Sequence, residues 1–190
     1  GAVGTVRFWN STTGSISNAA GSPETITATL TIRDWATDGG TLSTSGGATF
    51  IGGVWSVSGT LAAVNAALAA TEFSPGTGDP AVIDISLDDA TSPGSPTTGA
   101  IIIASTLPAT VYVDDGFSPV HASVVADADG GPATAPALLG YDAFTTLAAA
   151  ASAVDPAGTI IVNDGTYATI NLGTAAPKPP LRLTGSRGVA

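Results

Sequence analysis

Cysteine is absent from the 190-residue chain, which removes disulfides, thiolate metal sites and a cysteine nucleophile together. Basic residues are scarce: five Lys and Arg face fifteen Asp and Glu, for a formal net charge of −10 and an isoelectric point near 4.1. A surface of that sign repels polyanions, so no nucleic acid and no anionic membrane surface is expected as a partner. No apolar run approaches the ~20 residues of a membrane helix, Ile101-Ile102-Ile103 being only of strand length, so no membrane insertion is expected. No charged-then-apolar leader opens the chain, and Gly1-Ala2-Val3 reads like the interior of a longer protein, so a fragment or processed product is expected.

Charged residues make up only 11% of the chain against 44% hydrophobic ones, which excludes a disordered polymer and leaves Thr, Ser, Gly, Asn and Asp to build the surface. With 24 Gly and 13 Pro, turns should be frequent. In the first half, residues 5–9 and 25–32 read as strands, the second alternating Ile26, Ala28, Leu30 and Ile32 with threonines. Asp38-Gly39-Gly40 should turn into residues 41–43, and Gly52-Gly53 into residues 54–58. Thr60 is placed to cap a helix over 59–68 whose Leu61, Val64 and Leu68 share a face. Residues 71–75 should be extended, and 81–87 and 100–104 should be strands.

Gly59, Thr60, Leu61, Val64, Asn65, Leu68, Phe73, Pro75, Ile83, Ile85, Asp88 and Asp89 stand at the spacing of a repeat in very large bacterial surface adhesins. The segment from about 20 to 104 thus resembles their cadherin-like or immunoglobulin-like modules.

A different order of elements follows. Asp142 is placed to cap a short helix through Phe144, Leu147, Ala148, Ala151 and Val154, which Pro156 and Gly158 end. Residues 159–162 form an apolar strand, 163–166 a turn, 167–172 a second strand, and 181–184 a third after a proline-rich corner. Asp142, Phe144, Leu147, Ala153, Val154, Pro156, Gly158, Thr159, Val162, Gly165, Thr166, Tyr167, Leu181, Leu183 and Gly185 carry a resemblance to the N-terminal cap and first coils of pectate-lyase-like right-handed parallel β-helix proteins. In those proteins a strand like 111–113 precedes the capping helix. Residues 117–140, rich in Pro, Ala, Gly and Asp, read as a surface loop longer than the usual ~12 to 15 residues.

Hard cations need several oxygen ligands at short spacing, so paired acids are the candidate metal ligands: Asp88 with Asp89 near Asp84, Asp114 with Asp115, and Asp127 with Asp129 ahead of Gly130-Gly131. Calcium is the cofactor such pairs suit, although the full EF-hand spacing is missing; solvated turn acids are the plainer reading. A β-helix also raises glycoside cleavage by paired carboxylates. The chain offers one His, one Lys and four Arg, of which Arg182 and Arg187 lie in the β-helix part, and family catalytic residues stand several coils beyond the cap. No catalytic residue is assigned, and His121, alone in the loop, receives no role. Trp55, alternating with Val54 and Val57, should be core, and Trp35 half exposed at a strand end. Asn10-Ser11-Thr12 is a glycosylation sequon, and Asp79-Pro80 and Asp155-Pro156 are chemically labile bonds.

The expected fold is mainly β: an immunoglobulin/cadherin-like β-sandwich at 1–107, then a capped parallel β-helix start at 108–190. The expected function is a structural and adhesive, non-enzymatic module of a bacterial extracellular or cell-surface protein. It would self-associate through the open β-helix end, as in a head-to-tail fibre, and could contact surface glycans or proteins. The alternative is the N-terminal part of a polysaccharide-active lyase or hydrolase whose catalytic coils lie outside this chain.

Overall fold

Alternation of apolar and hydroxyl side chains decides the first sheet. In the computed structural model, which describes residues 6–7, 25–90, 96–129, 135–168 and 182–185, the chain is mainly β with several sheets, none closed. It divides into unit 1, Gly1–Ser105, and unit 2, Thr106–Ala190.

Unit 1 runs β1 (Val6–Arg7), β2 (Thr25–Ile32), α1 (Trp35–Asp38), β3 (Thr41–Leu42), β4 (Thr49–Ile51), β5 (Val54–Thr60), α2 (Leu61–Ala69), β6 (Glu72–Ser74), β7 (Ala81–Asp89) and β8 (Thr97–Ile103). Five strands form an antiparallel sheet in the order β4-β5-β2-β7-β8, and β1-β6-β3 form a smaller one. Ile26, Ala28, Leu30 and Ile32 all face inward, meeting Trp55, Val57, Ile83, Phe73 and the α2 residues Val64, Ala67 and Leu68 in one core. The opposite face carries hydroxyls; one row across all five strands reads Thr49, Ser56, Thr29, Ser86, Thr98.

Local chemistry fixes the connections. Gly52 and Gly53, both at positive φ, join β4 to β5 as a primed hairpin turn requires. Gly53 has a second duty, since a Cβ there would lie 2.6 Å from Trp35, whose indole N–H donates to the Gly40 carbonyl. Thr60 caps α2, its hydroxyl accepting from the Ala63 amide at 3.3 Å. Helix α1 was not legible as a helix, being one turn with its Asp34 cap in the left-handed region.

Unit 2 runs β9 (Thr110–Val113), β10 (Val124–Val125), β11 (Ala137–Leu138), β12 (Ala143–Phe144), α3 (Leu147–Ala153), β13 (Thr159–Val162) and β14 (Arg182–Gly185). Strands β12-β9-β13-β14 form a four-stranded sheet in which every pairing is parallel. Such sheets are covered on both faces. On one face Val111, Val113 and Ile160 pack with Ala150 and Val154 around α3; on the other Tyr112 joins Ala128, Ala137, Leu139 and Ala143.

Three expectations need correction. Thr146 and not Asp142 caps α3, accepting from the Ala149 amide, because Ala143 and Phe144 are drawn into β12 beside Tyr112 and Val113. Segment 117–140 is more than a surface loop: β10 pairs with β11, and Ala122, Ala128, Ala137 and Leu139 are buried. Residues 167–168 are not strand, and 169–172 lie outside the described residues, as do residues 5, 8–9 and the Asn10 sequon. Elsewhere, the expected strand 100–104 proves to be the end of the longer β8, which begins at Thr97 and stops at Ile103, and β7 runs on to Asp89.

Candidate functional site

The densest set of polar side chains sits where β9 and β13 end. The strands pair from Thr159↔Thr110 to Val162↔Val113, and the turns that follow are nearly the same sequence, Asp114-Asp115-Gly116 and Asn163-Asp164-Gly165. Equal register places like residues of the two turns side by side, at a strand spacing of about 4.8 Å.

Hydrogen bonds tie the turns into one structure. Asn163 donates from Nδ2 to Asp114 Oδ2 at 3.1 Å and to the Ala128 carbonyl at 2.9 Å, while Asp114 Oδ1 accepts from the Gly116 amide. Asp115 Oδ2 accepts from the Thr166 amide. The Tyr167 hydroxyl donates toward the carbonyls of Asn163, at 3.0 Å, and Val113. Burial first, and then the Asp114, Asp115 and Asp164 carboxylates, push the Tyr167 phenol above its ordinary pKa. Asn163 is buried, and its Oδ1 has no hydrogen-bond partner among the described residues. Glycine at 165 allows the close stacking, since a Cβ there would lie 2.6 Å from Asp115 Oδ1.

A second polar group lies beneath. Asp142 Oδ1 accepts from the Leu138 amide, closing the turn that leads from β11 to β12. Burial raises the Asp142 pKa, against the lowering effect of that bond. Tyr112 is also raised, by burial and by the nearby Asp129 and Asp142 carboxylates.

The expected metal ligands fall in both units, Asp88 and Asp89 in unit 1 and Asp114, Asp115, Asp127 and Asp129 in unit 2. Asp88 and Asp89 end β7, opposite Thr27 and Ile26, and Asp88 Oδ1 is buried with no partner among the described residues. Asp84 instead makes a two-pronged ion pair with Arg33. Asp114 and Asp115 hold the stacked turns; Asp127 is exposed, and Asp129 faces Tyr112. Among the described residues, no three or more His, Asp or Glu side chains converge as a metal centre needs. His121 is exposed. What the arrangement does chemically is satisfy turn amides with carboxylate oxygens and turn carbonyls with a phenol hydroxyl.

Sequence reasoning missed Asn163 and the Tyr167 hydroxyl. The repeated Val-Asp/Asn-Asp-Gly at 113–116 and 162–165 was the signal that could have found them. In comparisons with known proteins, no family model, no curated protein and no solved structure matches this chain.

Proposed function

We propose that the chain is a structural, adhesive module of a bacterial extracellular or cell-surface protein, with an immunoglobulin- or cadherin-like sandwich in unit 1 and the capped start of a parallel β-helix in unit 2. The observation that carries this reading is the all-parallel sheet of unit 2, in which one turn sequence recurs 49 residues later and stacks on its first copy through the Asn163–Asp114 bond. Stacking of one short repeat is how solenoids extend a core in one direction. The hydrogen bonds at the turns serve rigidity, and among the described residues they bring no nucleophile and base together.

Assembly through the growing end, residues 159–190, follows from the same logic, since head-to-tail contacts that do not close give filaments. Leu183 occupies the register position beside Ile160, which is fully buried. Sedimentation of the full chain at high micromolar concentration should show species larger than a dimer, and Leu183→Asp should remove them while unit 1 stays folded. An unchanged size distribution in Leu183→Asp overturns the assembly. Release of unsaturated or reducing sugars from pectin or alginate by the chain overturns the non-catalytic reading.

A further inference from the structure

Strand β8 ends the five-stranded sheet of unit 1. Its one side pairs with β7 from Leu87↔Thr97 to Ala81↔Ile103, and no strand takes its other side among the described residues. Natural edge strands are commonly blunted by charge, proline, bulges or shortness. The opposite edge, β4, follows that rule with three residues. β8 has seven, Thr97-Thr98-Gly99-Ala100-Ile101-Ile102-Ile103, with no charge, no proline and an unbroken register.

The inward row of β8 is Gly99, Ile101 and Ile103, beside Ile85, the fully buried Ile83 and Ala81. Ile101 and Ile103 stay only partly buried, because the sheet stops there. A Cβ built on Gly99 would meet nothing within 4 Å, so the row has a gap one place from an isoleucine.

We propose that β8 is a pairing surface for a second copy of this chain, joined antiparallel about a two-fold axis at Ala100. That axis sets Gly99 of each copy opposite Ile101 of the other, so each isoleucine fills the partner's gap and the core row continues across the joint. The strand is its own complement, which selects a second copy over an unrelated peptide. The contact is isologous and closes at two. It is a surface apart from residues 159–190 and stands whether or not that end assembles. Seven paired residues make a contact below the ~1,200 Å² of a standard stable interface, so the dimer is weak and forms at high protein concentration.

A single introduced thiol reads the register, because the chain has no cysteine of its own. Directly opposed residues of an antiparallel pair have Cα atoms about 4.5 to 5.5 Å apart, within the roughly 4.4 to 6.8 Å a disulfide spans. Ala100→Cys would be opposed to itself; the two copies of Thr98→Cys would stand roughly 13 Å apart, four residue steps along the strand. In the Leu183→Asp background, which removes the other assembly, mild oxidation should yield covalent dimer at least about ten-fold faster for Ala100→Cys than for Thr98→Cys. Equal rates overturn the proposal. Gly99→Lys fits the open space, and Gly99 is outside the left-handed region, so in the same Leu183→Asp background this substitution should leave circular dichroism and melting temperature unchanged while the chain sediments as a monomer. A folded Gly99→Lys/Leu183→Asp chain that still dimerises overturns the proposal as well.

Discussion

Asp142 shows how one side chain can be both necessary and costly. Its carboxylate closes the turn before β12 by accepting from the Leu138 amide, and burial there penalises its charge, so its pKa lies above the ordinary value. A raised carboxyl pKa means that the folded state binds the proton more tightly than the unfolded chain. Its favourable contribution is complete below the unfolded pKa of about 3.9 and is lost as pH rises through the folded pKa. Asp142→Asn keeps an oxygen for the Leu138 amide and cannot ionise. Thermal melts from acid to neutral pH should therefore show the variant gaining on the wild type as pH rises above about 4, with a constant difference near neutrality. A gain for the wild type over that window would mean that the charged form is the favoured one.

Among the elements, the stacked turns depend on long-range pairing, and this is why they were hard to read in the sequence. The alternation in β2, the Thr60 cap and the Gly52-Gly53 turn are local signals, and each element appears where it was expected. Asn163, by contrast, meets Asp114 and Ala128 from 49 and 35 residues away, and neither partner is visible until the parallel register exists. The cap of α3 was misplaced for a related reason: Asp142 and Thr146 both suit a helix N-terminus, and only the pairing of β12 with β9 decides between them. Segment 117–140 looked like loop because its buried residues are mostly alanines, whose apolar signal is weak. Tyr167 is the cross-tie of the two turns. Tyr167→Phe removes the donor to the Asn163 and Val113 carbonyls at a half-buried site, and should cost about 1 kcal/mol. Chemical denaturation with a probe in unit 2 checks this; no loss of stability would mean that water replaces the hydroxyl without penalty.

For the whole molecule, charge sets the conditions under which copies can meet. Five basic residues are set against fifteen acidic ones, and one of the five, Arg33, is committed to Asp84. Two chains of net charge −10 repel, yet the surfaces assigned to self-association are β8, which has no charged residue, and the end of the parallel sheet, where β14 holds the single charge Arg182. Approach is thus opposed by the general field of each molecule, while the proposed β8 contact is apolar and backbone. Salt shortens the Debye length from about 10 Å at 0.1 M to about 3 Å at 1 M, weakening that repulsion and leaving burial and strand pairing largely intact. Association of the full chain, followed by sedimentation across this range at neutral pH, should therefore strengthen as sodium chloride is added. The dependence should be steeper at pH 7 than near pH 4, close to the isoelectric point, where the repulsion has been titrated away. Weakening with salt would point to ion pairs between copies, and the uncharged β8 edge could not then be the joint.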